Sequence, residues 1–252
     1  MSEERIRVFD SQSDAYKRAF QVFLQHTDQK RNAHKRLEAL IGGLRFKRTF
    51  IDAGAGNGEL TGWVGRAFER IIAIEPNRFL CEQLRQVLPG AEVIEQPILG
   101  AAPSQRGDLV LSSHTFYYIP QDRWLEHLER LTGWMSPSGV TVVITQSRDT
   151  DCVGMFNSLA GRSFDLSGLV REFRAKHGAR YQVSVPQDEA HVETRDFDSA
   201  YIIAEFMMNT FPGDEMPSKA TLARYLQDHF RTPTGGYRFS CHQDFVQIAP
   251  LT

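Results

Sequence analysis

The sequence is poor in cysteine, balanced in charge and without a long apolar run, and each scarcity closes off a class of protein. Its three cysteines, Cys81, Cys152 and Cys241, are odd in number and far apart. That spacing gives neither a disulfide framework nor a zinc motif, and it fits a reducing cytoplasm. The 29 Lys and Arg against 31 Asp and Glu leave a net charge of -2. Nucleic-acid partners, which call for a basic excess or stripe, are therefore not expected. The two most basic stretches, KRNAHKR at 30–36 and RFKR at 45–48, read as solvated surface around a helix end. No apolar run approaches the ~18 residues of a membrane helix. The charged opening MSEERIRVFD has no apolar segment of the signal-peptide kind. A cytoplasmic protein with no membrane partner is the expectation. With 41% hydrophobic and 24% charged residues and no repeats, the composition is that of a globular chain.

What is present is an alternation of short apolar runs and helical stripes. Residues 13–41 read as two helices, the first with Tyr16, Phe20, Phe23 and Leu24 on one face, the second stopped by Gly42-Gly43. Strands follow at 49–53 (TFIDA), 71–75 (IIAIE), 91–95 (AEVIE), 108–112 (DLVLS) and 140–145 (VTVVIT). Helices 59–68, 78–88 and 121–132 separate them, and SPSG at 136–139 reads as a turn. Such a succession builds a parallel sheet with helices on both faces, an α/β fold of Rossmann type. Further on, a helix from 166 to Gly178, a strand around Tyr181, Val183 and Val185, helices at 199–209 and 218–229 and a final strand at 237–248 are expected. The segments 148–164 and 186–235 are long for plain connections and are read as a cap over the sheet's carboxyl edge.

The strongest local pattern is Ile51-Asp52-Ala53-Gly54-Ala55-Gly56-Asn57-Gly58-Glu59, set between a strand and a helix. Glycines there allow a tight turn and close approach of a ligand to the backbone. Glu75 ends the next strand, at the distance where an acid accepts hydrogen bonds from ribose hydroxyls. Dinucleotide sites want G-x-G-x-x-G with a pyrophosphate on the helix N-terminus. Here the third glycine arrives one residue early, at Gly58, and Glu59 would repel a phosphate. The fourth strand leads into Ser112-Ser113-His114-Thr115-Phe116-Tyr117-Tyr118, a polar and aromatic cluster at the edge where open α/β sheets bind ligands. His114 suits a general base near neutral pH.

The acid-x-G-x-G-x-G loop and the run IIAIEPN resemble the first two motifs of class I methyltransferases. That resemblance implies S-adenosylmethionine as cofactor, S-adenosylhomocysteine as product and no metal. It places Asp52, Gly54, Ala55, Gly56, Gly58, Glu75 and Pro76 around the cofactor, with Gln96 near the adenine and Ser113 beside them. A closer likeness lies in Val8-Phe9 through Tyr16, Phe20 and Phe23-Leu24-Gln25-His26-Thr27, in the pair Tyr117-Tyr118, in IIAEF at 202–206 and in the closing DFVQI. These runs resemble the histamine N-methyltransferase family. The resemblance implies a seven-stranded sheet in one domain over 1–252, with a helical lid at 1–45, a cofactor core at 46–146 and a C-terminal half at 147–252 carrying cap helices and the last two strands. It implies a monomer whose small-molecule acceptor is lined by Phe9, Tyr16, Phe20, Asp28, Gln29, His114, Tyr117, Tyr118 and Cys241. His114, Gln29 and Tyr117 would orient the acceptor or take its proton. Gln29, His114 and Cys241 stand where that family has other polar groups, which argues against histamine itself. A nitrogen of an amine or heterocycle is the expected acceptor. A hydroxyl or carboxylate acceptor stays open, as do a dinucleotide-dependent oxidoreductase and a domain that binds S-adenosylmethionine without turnover.

Overall fold

The computed structural model describes residues 4–9, 13–161, 164–209 and 216–251. The helices are α1 (Asp14–His26), α2 (Gln29–Gly43), α3 (Glu59–Gly65), α4 (Arg78–Val87), α5 (Trp124–Gly133), α6 (Asp151–Ala160), α7 (Ser167–His177), α8 (Phe197–Met208) and α9 (Lys219–His229). The strands are β1 (Thr49–Ala53), β2 (Arg70–Ile74), β3 (Glu92–Ile94), β4 (Gly107–Ser113), β5 (Met135–Gln146), β6 (Tyr181–Ser184), β7 (Gln187–Asp188), β8 (His191–Thr194), β9 (Tyr237–Ser240) and β10 (Gln243–Pro250). Contacts gather the chain into two compact units. One comprises 35–145, 166–186 and 244–252; the other comprises 1–34, 146–165 and 187–243. No helix among the described residues is long and apolar enough to cross a membrane.

The first unit holds the main sheet. Its strands run in the order β3-β2-β1-β4-β5-β10-β6, parallel from β3 to β5, with β6 antiparallel to β10. Phe50, Ile51, Leu109, Val110 and Leu111 are wholly buried. Unbroken apolar runs are what parallel strands covered on both faces require. The chain leaves β1 toward β2 on one side, while β4 lies on the other, with Ile51 paired to Ile72 and to Val110. The crevice beyond the carboxyl ends of β1 and β4 is therefore the sheet's switch point, where ligands bind in open α/β folds.

The second unit packs α1 against α8 around Phe206. Phe206 lies 5.3 Å from Tyr16, 5.6 Å from Phe20 and 5.7 Å from Phe23, ring centre to ring centre. The spacing that marks one face of a helix in the sequence buries Phe23 and half-buries Tyr16 and Phe20. Residues 4–9 are tied to the same unit by backbone bonds. Ile6 N–H donates to Pro217 O, and Lys219 N–H donates to Glu4 O. Arg7 bonds the buried Glu205 through its own N–H at 3.0 Å. The antiparallel pair β8–β9 completes this unit. Residues 1–3 and 10–12 of the expected lid lie outside the described residues.

Three sequence expectations change. The segment 136–139 is not a free turn but part of β5, which shifts register between Gly107↔Met135 and Leu109↔Val140. Extra residues taken up in a bulge keep a strand paired through turn-like composition. The closing strand is two strands, because Cys241-His242 breaks it: β9 pairs with β8, whereas β10 joins the main sheet. Finally, α6 occupies 151–160 and β8 occupies 191–194, two elements not expected individually inside the segments read as a cap.

Candidate active site

The glycine loop follows β1 directly. Gly54 and Ala55 both donate their N–H to Ile74 O, at 2.8 and 3.1 Å, so the loop is moored to the end of β2. Gly54, Gly56 and Gly58 all have positive φ, at 86°, 56° and 82°. At Gly54 a side chain is also excluded by space: a Cβ would overlap Thr115 Oγ1 and stand 2.9 Å from Thr115 Cγ2. At Gly56 the reverse holds, since a Cβ would meet nothing within 4 Å. The backbone of Gly56 thus borders open space. Gly58 caps α3.

Glu75 stands just past β2 and is 7% exposed. Its Oε2 accepts Gly56 N–H and its Oε1 accepts Asn77 N–H, each at 3.0 Å. Two backbone donors hold the carboxylate in one orientation beside the glycine loop. Pro76 and Gln96 lie exposed after β2 and β3, and Ser113 is half-buried at the end of β4. All the residues assigned to the cofactor belong to one unit and to the carboxyl ends of adjacent strands.

Asp52 is buried and accepts a 2.7 Å bond from Thr61 Oγ1, joining β1 to α3. Burial is the main cause that pushes its carboxyl from an ordinary 3.8 up to about 7; the Thr61 bond opposes the rise and the charge of Glu75 adds to it. An acid whose folded value is raised binds its proton more tightly in the folded state. Its contribution to stability is present below the unfolded value, is lost between about 4 and 7 and is absent above 7. The effect is on the order of 4 kcal/mol across that window. Asp52→Asn, which still accepts from Thr61, is expected to flatten this dependence. Melting of both proteins from pH 4.5 to 8 checks it, and parallel curves would refute the assignment.

The loop after β4 carries the second group. His114 is the one described non-glycine residue with positive φ, 55°. Such a conformation is uncommon for histidine and draws attention when it falls at a site. Its N–H donates to Ile144 O at 2.8 Å, and its Nδ1 lies 3.0 Å from the Tyr117 hydroxyl. Phe116 is buried and packs at 6.4 Å from Trp124. Tyr117 is half-buried, whereas Tyr118 is 65% exposed.

The remaining assigned residues belong to the other unit. Phe9 and Tyr16 meet edge-to-face at 6.4 Å, and Tyr16 stacks on Phe20 at 6.3 Å. Asp28 accepts His191 N–H through Oδ1 at 2.8 Å. Gln29 is buried, and its amide NH2 donates to Cys241 O at 2.8 Å and reaches Gln146 Oε1 at 3.4 Å. Cys241 lies not on the last strand, as its sequence context suggests, but in the break between β9 and β10. Burial pushes its thiol up to about 12, so it stays protonated. The sequence reading gives no role to two residues, Thr115, which it names only as a member of the cluster after β4, and Thr61. Thr115 and Thr61 act through contacts with Gly54 and Asp52, and no spacing rule points to either.

Residues 51–143 match the family model described as a methyltransferase domain. A trans-aconitate 2-methyltransferase of Rhodopseudomonas palustris (strain BisB18) is 30% identical over 123 residues. The match covers 48% of this chain and 47% of that enzyme, so the chain spans about half the length of the curated relative it matches. Among solved structures, a candidate methyltransferase of Bacillus halodurans C-125 superposes with a TM-score of 0.59 at 12% identity, covering 85% of this chain and 96% of its own. A functionally unknown protein of Deinococcus radiodurans R1 superposes with a TM-score of 0.58 at 16% identity, covering 86% of each chain. At such identities these likenesses concern the fold. The glycine loop, the acid after β2 and the match to a methyltransferase domain coincide on one stretch of chain, residues 51–143.

Proposed function

We propose that this protein transfers a methyl group from S-adenosylmethionine to a small-molecule acceptor. The observation that carries the reading is Glu75, fixed by Gly56 and Asn77 N–H beside a glycine loop open at Gly56, at the switch point between β1 and β4. The donor set fits the cofactor. A carboxylate suits two ribose hydroxyls, and the open face of Gly56 admits close approach. Glu59, exposed in the first turn of α3, opposes a pyrophosphate there but not a sulfonium.

Bound S-adenosylmethionine supplies an electrophilic methyl group for in-line displacement. The chain's part is to hold an acceptor about 3–3.5 Å from that carbon and to remove a proton where the acceptor carries one. His114 and Tyr117 are proposed for that part, as a hydrogen-bonded pair on the loop after β4. The assignment of Phe9, Tyr16, Phe20, Asp28, Gln29 and Cys241 to acceptor binding rests on family resemblance alone, and that of Tyr118 on the resemblance and its place in the cluster after β4. The same resemblance favours a nitrogen acceptor. The Rhodopseudomonas palustris relative supports a second reading, because its named acceptor, trans-aconitate, is a carboxylate.

A thermal-shift titration with S-adenosylmethionine, S-adenosylhomocysteine and NADH tests the cofactor. A ligand specific for the native state at 100 times its Kd stabilises by about 2.7 kcal/mol. Both adenosyl ligands are expected to shift the transition and NADH to leave it in place. A shift with NADH alone would overturn the reading in favour of an oxidoreductase. Release of S-adenosylhomocysteine in the presence of amines, azaheterocycles or small carboxylates then names the acceptor class. Binding without release from any of them would point to a non-catalytic domain.

A further inference from the structure

We infer that Thr115 is a positioning residue that locks the His114–Tyr117 pair to the cofactor loop. The inference rests on the cofactor reading above and goes beyond it, since it concerns how the two halves of the site are held in register. Thr115 follows His114 in the chain, and its side chain lies where Gly54 lacks one. Its Oγ1 is 3.3 Å from Ala53 O, at the end of β1, and 3.3 Å from Ser113 O, at the end of β4. One hydroxyl proton thus bridges the two strand ends that flank the switch point.

The consequences run in both directions from this residue. On one side, Gly54 is fixed between Ile74 O, which accepts its N–H, and the Thr115 side chain. On the other, His114 is held at φ 55° with its N–H on Ile144 O. A histidine keeps an unfavourable backbone conformation only where its surroundings over-determine it. Thr115 O also accepts Tyr118 N–H, which turns the chain so that Tyr117 OH meets His114 Nδ1. A ligand that settles on the glycine loop therefore presses on the same side chain that sets the imidazole. Placement errors of about 1 Å at such a group cost on the order of 100-fold in rate, which is the value of a rigid link here.

The test uses the whole chain, labelled with 13C in its histidines and titrated with S-adenosylhomocysteine. His114→Asn identifies the His114 signal. Thr115→Val keeps the branched shape and loses the hydroxyl; Thr115→Ser keeps the hydroxyl. In the unsubstituted protein the His114 signal is expected to move on saturation with S-adenosylhomocysteine. Thr115→Ser should retain most of that movement. Thr115→Val should lose most of it, while its Kd stays within about threefold. A purely structural strut would lower the melting temperature of both variants and leave the coupling intact in whatever remains folded. An unmoved His114 signal in a protein that binds S-adenosylhomocysteine, or full coupling in Thr115→Val, would overturn the inference alone. No binding by the unsubstituted protein would overturn the cofactor reading and this inference with it.

Discussion

Gly54→Ala is expected to destabilise the protein by roughly 2–5 kcal/mol and to lower its melting temperature by roughly 5–15 °C. Two costs add. An L side chain at φ 86° costs about 1–2 kcal/mol. The new methyl group also overlaps Thr115, which has no room to retreat without leaving Ala53 O and Ser113 O. Overpacking of this kind costs about 1–3 kcal/mol. The matched control is Gly56→Ala. Its φ of 56° carries only the backbone cost, because the space beside it is open. That open space is where the adenosyl ligand is proposed to lie. Gly56→Ala should therefore lose affinity for S-adenosylhomocysteine more than stability, and Gly54→Ala the reverse order. Melting curves with and without ligand separate the two effects. Equal affinity in Gly56→Ala and the unsubstituted protein would move the ligand away from this loop.

Glu75→Ala is expected to weaken S-adenosylhomocysteine binding by about 100-fold or more. Hydrogen bonds to a charged group contribute about 1.5–3 kcal/mol each, and 1.4 kcal/mol is tenfold. Removing the carboxylate deprives Gly56 N–H and Asn77 N–H of their acceptor and takes away the proposed ribose contact. Glu75→Gln keeps one acceptor oxygen but turns an amide NH2 toward a backbone N–H, so an intermediate loss is expected. Calorimetric titration of the three proteins reads the series directly. A loss confined to thermal stability, with unchanged affinity, would make Glu75 a loop support and nothing more.

Much of the domain that carries these residues is legible in the sequence, for reasons that are local. Buried parallel strands demand unbroken apolar runs, and TFIDA and DLVLS are such runs; both are strands near their expected bounds. The glycines at 54, 56 and 58 answer to φ angles that side chains disfavour, which is why their spacing is informative. Where local chemistry misleads, it does so for an identifiable reason. Ser136, Pro137 and Gly139 have turn composition yet belong to β5, because the strand absorbs them in a register shift against β4. A strand expected at 237–248 divides at Cys241-His242, because its two halves pair with different partners.

The sequence by itself therefore determined the succession of strands and helices over residues 51–143, the conformations the glycine loop must adopt and the acid that faces it. Those features are set by side-chain period and by φ, which act within a few residues. Only the tertiary structure decided that β1 lies between β2 and β4, that Thr115 fills the space Gly54 leaves, and that His114 turns through a positive φ to meet Tyr117. The first two rest on contacts between residues distant in the chain, such as Ala53 and Thr115, which are 62 positions apart; His114 and Tyr117 are three apart, but the backbone turn that joins them is held by the His114 N–H bond to Ile144 O. Their register follows from the packing of the whole sheet, and no local pattern encodes it.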